Sequence, residues 1–321
     1  MLYVETGSTS PYFNLAAEEY LTTQFKEEIC MLWRNSSSII VGRNQNTMAE
    51  IDYDFVTAND IPVVRRMSGG GAVFHDLNNL NFTYIVNGGE FGDYVGFTSE
   101  LREYIKTLGI ETTLSGRNDI LAGGRKFSGN AQYKYHDRLM HHGTIMINAD
   151  ISHLVAALKP DETKIASKGI KSVKSRVANL AEFADTDVLT FMNGFEEYIK
   201  RNPDVKDYKL TDTDIAEIEK SVKEKYSTFE WNFGYSPKYT FRKKARFEKG
   251  GLEVFLEISD GKIKGCELYG DFFSSHGTEE LLKSLINTNH EKSAAEKAIG
   301  AVWYENILGG ISLDQFLSCL F

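Results

Sequence analysis

The sequence predicts an α+β fold: a large mixed β-sheet domain with flanking helices over residues 1–244, then a small α+β unit over 245–321. Three observations predict it. Short strand-like runs recur between residues 29 and 86, broken by Gly, Asn and Asp. Amphipathic helical stretches precede and follow them. A second strand-rich stretch, about 251–269, carries its own turn at Ser259-Asp260-Gly261-Lys262 and leads into helical sequence reaching about 318.

Taken in order, Asn14 to Phe25 reads as a helix, with Leu15, Ala16, Tyr20 and Leu21 on one face and Ser10 or Asn14 as its cap. Ile29 to Trp33 and Ser38 to Val41 read as strands, the second closed by Gly42. Val63–Arg66, Ala72–His75 and Asn81–Val86 continue the strand pattern. The glycines Gly69-Gly70-Gly71 therefore join two strands and do not open a helix, which excludes a P-loop and a dinucleotide fingerprint. Thr98 to Leu108 is an amphipathic helix that Gly109 ends. Gly143 to Asn148 is a short apolar strand, and 188–200 and 212–226 are helical. Trp231 to Lys249, polar and aromatic with Gly234 and Pro237, reads as a connector. No internal repeat or low-complexity run is visible.

With 321 residues and 42% hydrophobic content, the chain can bury a sizeable core. A net charge of −9 argues against nucleic-acid binding by the whole surface. Cys30, Cys266 and Cys319 form no C-x-x-C pair, so neither a zinc site nor a disulfide framework is indicated. The N-terminus has no signal-peptide pattern, and no apolar run approaches the roughly 20 residues of a membrane span. These features lead us to expect a cytoplasmic protein with neither nucleic-acid nor membrane partners; a monomer is the default.

Chemistry concentrates in four segments. In Arg65-Arg66-Met67-Ser68-Gly69-Gly70-Gly71-Ala72-Val73-Phe74-His75-Asp76, two arginines precede three glycines, and such a segment suits an anionic ligand. In Ser115-Gly116-Arg117-Asn118-Asp119 and Gly123-Gly124-Arg125-Lys126-Phe127-Ser128-Gly129, glycines flank a basic pair. That pattern fits either a lysine placed for anion stabilisation or a solvated hairpin tip. His141-His142-Gly143-Thr144 sends adjacent histidines to opposite faces of a strand, so that one can face a pocket. Lys164 to Arg176 is strongly basic, either an exposed loop or a cover over a phosphate-containing intermediate.

In this order the segments resemble the lipoate–protein ligase family, within the wider group of biotin ligases and octanoyltransferases. Leu32-Trp33-Arg34-Asn35, Lys168-Gly169-Ile170, Asn179-Leu180 and Glu230-Trp231-Asn232-Phe233-Gly234 extend the match over nearly the whole chain. The resemblance implies a catalytic domain binding lipoate and ATP over 1–244, and an accessory domain over 245–321. It implies activation of lipoate with ATP and Mg2+, giving lipoyl-AMP, and then transfer to an acceptor lysine. Lys126 matches the active-site lysine. Arg66 with Gly71, Ala72, Val73 and Phe74 matches the ATP-contacting segment, to which Lys126 also belongs. Trp33, Ser68, Gly71, His75, Lys126, Ala131 and His142 match the lipoate-binding set. Asn118 and Asp119 are candidates to assist a magnesium ion held by phosphates. The implied acceptors are lipoyl domains of 2-oxo-acid dehydrogenase complexes and the glycine-cleavage carrier protein. The alternatives are an octanoyl- or lipoyltransferase working through a cysteine thioester, and a non-catalytic lipoate-binding protein.

Overall fold

Ser10 begins the first helix. Its hydroxyl accepts from the Phe13 N–H at 3.4 Å, and Pro11, at the first helical position, has no N–H to leave unpaired. The helix runs Pro11–Gln24, starting three residues before the expected Asn14. Asn14 is not its cap: it is buried in the first turn, and its amide donates to the Ser8 and Arg34 carbonyls.

In the computed structural model, residues 1–115, 118–158, 176–236, 239–270, 278–303 and 307–321 are described. Gly116, Arg117 and the basic segment up to Ser175 lie outside them. The chain divides into two units, Met1–Gln45 with Ala49–Thr228, and Asn46–Met48 with Phe229–Phe321.

The strands of the first unit are β1 (Leu2–Glu5), β2 (Ile29–Trp33), β3 (Ser38–Val41), β4 (Val63–Arg65), β5 (Val73–His75), β6 (Asn79–Asn87), β7 (Thr112–Ser115), β8 (Asp119–Ala122), β9 (Arg125–Tyr135), β10 (Arg138–Met146) and β11 (Lys206–Lys209). Eight of them form one sheet in the order β11-β1-β2-β6-β10-β9-β8-β7, and β4-β3-β5 form a second. The large sheet is mixed: β11, β1 and β2 run parallel, and the other pairs are antiparallel.

The pleat gives the large sheet two different faces. One carries Cys30, Leu32, Phe82, Tyr84 and Ile145 and joins the main core. Helices Ser99–Thr107 and Val188–Ile199 cover it with Leu101, Ile105, Phe191 and Phe195. Each such fully buried side chain is worth about 2 kcal/mol. The other face carries Trp33, Asn81, Thr83, Ala131, His142 and Thr144. The first helix lies on that side, where Glu18 reaches Thr83 and His142.

The second unit is a meander of β12 (Tyr239–Phe247), β13 (Gly250–Ser259) and β14 (Lys262–Gly270). Asp260 and Gly261 make the expected turn with φ of 53° and 68°. Leu252, Val254, Leu256 and Ile258 alternate inward, and helix Glu279–Leu285 packs on β14. Here the structure corrects the sequence reading. Much of the supposed connector is β12, and a boundary after residue 244 would cut that strand; the units divide after Thr228. The strand is masked in the sequence because it is a charged edge, Arg242-Lys243-Lys244, of the kind that discourages further pairing. No described helix is long and apolar enough to cross a membrane.

Candidate active site

A cavity opens on the polar face of the large sheet. Its floor follows the strand register: Gly129 of β9 stands opposite Thr144 of β10, Thr144 opposite Asn81 of β6, and Asn81 opposite Trp33 of β2. Ala131 and His142 begin the next row. Leu15 of the first helix, Ile40 of β3 and the segment from Gly70 to Val73 complete the lining. Of the expected site residues, Trp33, Arg66, Gly71, Ala72, Val73, His75, Asn118, Lys126, Ala131 and His142 line this one cavity. Ser68, Phe74 and Asp119 do not. Ser68 stands behind the lining, bonded to Arg66 and His142. Phe74 is buried with its ring against His153. Asp119 pairs with Lys126.

Arg65 and Arg66 both donate to the chain itself. Arg65 is fully buried, and its Nη1 donates to the carbonyls of Gly42, Arg43 and Gln45 at 2.8–3.0 Å. Arg66 donates from Nη2 to the Gly69 and Gly71 carbonyls (2.6 and 2.8 Å), from Nη1 to the Ile40 carbonyl and from Nε to Ser68 Oγ. Burial lowers its pKa to about 10, and the nearby Glu18 carboxylate opposes the fall, so it stays charged at neutral pH. A planar fork with five donors suits this work. The glycine loop is thus folded around a guanidinium. Because a peptide's N–H points opposite to its C=O, the N–H groups of Gly70 and Ala72 face away from Arg66.

Lys126 reaches the cavity through a bulge. In β9, Lys126 stands opposite Leu121 while Ser128 stands opposite Ile120, so Phe127 is an extra residue. Such a bulge re-aims a side chain that the simple alternation would send elsewhere. Phe127 and Ile120 stay in the core, Arg125 goes to Glu182 at 2.7 Å, and Lys126 comes onto the same face as Gly129. Its Nζ lies 2.7 Å from Asp119 Oδ1. A Cβ at Gly129 would sit 2.9 Å from that Nζ. Gly129→Ala is therefore expected to keep the fold, because a lysine tip yields easily, yet to displace the ammonium. A melting temperature within a few degrees of wild type, together with a tenfold or larger fall in turnover, would bear this out. Unchanged turnover would mean that the seat of the lysine is immaterial.

Sequence reasoning missed Glu18 and Thr83 in the network that holds His142. Glu18, 2% exposed, accepts from Thr83 Oγ1 at 2.6 Å and pairs with His142 Nδ1 at 2.9 Å. His142 Nε2 meets Ser68 Oγ at 2.6 Å, and Trp33 Nε1 donates to Thr83 at 2.9 Å. The signal available was a glutamate on the apolar side of a helix, beside Leu15 and Leu21. As expected, His141 turns to the other face, where it stacks on Phe97 at 4.9 Å. For a cation, the donor set is thin. Asn118 Nδ2 donates to the Asn130 carbonyl, Asp119 is held by Lys126, and no cluster of three or more His, Cys, Asp or Glu ligands occurs among the described residues.

Residues 10–200 match the model of the lipoyl protein ligase A/B catalytic domain, and residues 236–320 match that of the bacterial lipoate protein ligase C-terminus. The chain belongs to the lipoate–protein ligase family. It is 40% identical to the lipoate-protein ligase LplJ of Bacillus subtilis (strain 168), with both chains covered in full. It resembles a bi-partite lipoate protein ligase of Thermoplasma acidophilum, solved in a study that included its E2 lipoyl domain, at 27% identity and a TM-score of 0.63. That match covers 74% of this chain and 97% of the other. A lipoate-protein ligase A bound with ATP is similar at 27% identity and a TM-score of 0.61, covering 73% and 98% of the two chains. Within the family frame, the cavity occupies the portion matched by the catalytic-domain model.

Proposed function

We propose that this ligase activates lipoate with ATP, releasing pyrophosphate and forming lipoyl-AMP, and then passes the lipoyl group to a lysine of an acceptor domain. The observation that carries the reading is Lys126 seated over Gly129 at one end of a slot that runs across the sheet toward Trp33. In the first step an anionic carboxylate attacks an anionic α-phosphate. A fixed cation between them, with outward-facing N–H groups of the glycine loop, stabilises the charge that develops. Arg66 serves first as the strut of that loop. Magnesium would enter with the triphosphate, held mainly by phosphates and water, with Asn118 and Asp119 as the candidates to assist it. In the second step the acceptor amine attacks the lipoyl carbonyl carbon, the C–O bond to AMP breaks, and the amine proton departs. An ordinary lysine, with a pKa of about 10.4, is neutral in only about one molecule in 2,500 at pH 7. The Lys126 charge nearby favours that neutral form.

A transferase working through a cysteine is disfavoured by where the thiols sit. Cys30 is buried in the core on the opposite face of the sheet, and burial pushes its thiol far up. Cys266 and Cys319 belong to the second unit, their thiols also raised by burial, to about 12 in the first case. Neither property suits a nucleophile. The reading includes lipoyl domains of 2-oxo-acid dehydrogenase complexes and the glycine-cleavage carrier protein as acceptors. It also includes a monomer working in the cytoplasm, and the second unit as an accessory domain. Lipoate-dependent exchange between ATP and pyrophosphate tests the first step, and the mass gain of a lipoyl domain tests the second. Exchange should require lipoate. Acyl transfer from a carrier protein without ATP, and no exchange, would overturn the reading.

A further inference from the structure

The cavity takes only one of the two adjacent histidines, and the other is tied to it from behind the sheet. His141 is fully buried on the core side, its ring stacked on those of Phe82 and Phe97 at 5.8 and 4.9 Å. Its two ring nitrogens meet the side chains of Gln132 and Asn130 at 3.1 and 3.2 Å. In the strand register Gln132 stands opposite His141, and Asn130 stands opposite Gly143. A Cβ at Gly143 would fall 2.3 Å from Asn130 Oδ1 and 2.6 Å from the Phe82 ring. The bare Cα of that glycine leaves the room in which the Asn130 carboxamide lies.

Both ends of this chain require the same histidine tautomer. The Gly92 N–H donates to Gln132 Oε1 at 2.7 Å, so the Gln132 amide turns its Nε2 to the Asp93 carbonyl and to His141. Nδ1 of the ring must therefore accept, which leaves the proton on Nε2. At the other end, Asn130 Nδ2 donates to the Asn118 carbonyl at 3.0 Å, so Asn130 Oδ1 faces His141 and accepts from Nε2–H. Burial, reinforced by His142, lowers the His141 pKa to about 3, and the ring stays neutral. A buried polar chain in which every member is answered holds its parts in one arrangement.

The chain ends at the counter-ion of Lys126. The Asn118 carbonyl also accepts from the Asn130 backbone N–H at 3.0 Å, and Asn118 Nδ2 donates back to the Asn130 carbonyl at 2.7 Å. Three hydrogen bonds thus tie Asn118 to one residue. The next residue, Asp119, places its Oδ1 2.7 Å from Lys126 Nζ. That carboxylate is one-third exposed, so its own backbone must fix where it stands. A displaced ammonium matters because catalysis by a positioned group falls steeply with errors of about 1 Å.

We propose that His141 and the Asn130 carboxamide are positioning residues for the adenylation step: from the core side of the sheet they fix Asn118 and Asp119 and, through Asp119, the Lys126 ammonium. The proposal rests on the ligase reading above. His141→Phe keeps the ring stack and removes both hydrogen bonds. It should lower kcat for lipoate-dependent pyrophosphate release about tenfold or more, with KM for lipoate within about threefold of wild type. His141→Gln, which can return a donor to Asn130 Oδ1, should recover most of the loss. Where there is no ammonium to place, the effect should vanish: in a Lys126→Ala background His141→Phe should cost less than about twofold. An unchanged kcat, a loss confined to KM, or an equal loss with and without Lys126 overturns the proposal. Because replacement of a buried histidine could prevent folding, the wild-type protein supplies a second readout. Nitrogen chemical shifts of the His141 ring should show a neutral ring with its proton on Nε2. The Nδ1–H tautomer, or a charged ring at neutral pH, is incompatible with the chain and overturns it. If the wild-type protein releases no pyrophosphate with lipoate and ATP, the ligase reading fails instead, and the ring tautomer still judges the hydrogen-bond chain.

Discussion

Lys126→Ala should lower the rate of lipoyl-AMP formation by about 10²–10³, close to 3 kcal/mol or more, as removal of one preorganised donor to a developing anion does. Stability should barely change. Lys126 and Asp119 are 38% and 34% exposed in their side chains, and ion pairs that wet contribute about 0–1 kcal/mol. Lipoate-dependent pyrophosphate release, read beside a thermal melt, separates the two effects. Lys126→Arg should also be poor, because the bare Cα of Gly129 leaves room for a compact ammonium and a branched guanidinium has a different reach. Near wild-type pyrophosphate release from folded Lys126→Ala would falsify the assignment of this lysine.

Gly42→Ala should damage stability and activity together. A Cβ there would lie 2.0 Å from the Gly70 carbonyl oxygen, 3.0 Å from its carbon and 3.3 Å from Arg66 Nη2. Two backbone segments meet at this point, so no flexible side chain can give way. Overpacking of this kind costs about 1–3 kcal/mol or more. The loop, held by the Arg66 bonds to Gly69 and Gly71, must shift to admit the methyl. We expect a clear fall in melting temperature and a loss of ATP-dependent turnover of a hundredfold or more. Gly69→Ala is the matched control: its Cβ meets nothing within 4 Å, and it should stay within about 0.5 kcal/mol of wild type. Equal behaviour of the two variants would remove the close approach as the reason for a glycine at position 42.

Most of the elements were legible because their patterns are local. β2 and β3 fall where β-branched and apolar runs placed them, and the helix ending before Gly109 follows from its amphipathic stretch and a glycine at φ 79°. β11, Lys206-Asp207-Tyr208-Lys209, was not legible, since a charged edge strand has no apolar face to betray it. β9 hid for another reason: its glycines and polar residues, Ser128-Gly129-Asn130, suggest a loop, but they form the floor of a cavity.

The sequence alone determined the family, the order of the glycine loop, Lys126 and His142, and the α+β class with a small C-terminal unit. These are properties of residue identity and spacing, which a chain carries whether or not it is folded. Tertiary structure decided what each side chain does. Arg65 and Arg66 turn inward because buried carbonyls need donors. Lys126 faces the slot because Phe127 is bulged. Glu18 holds His142 from 124 residues away. His75 and Asn81, from different sheets, are buried in the folded chain. Burial, register and long-range pairing arise from contacts between distant segments, and no local pattern encodes them.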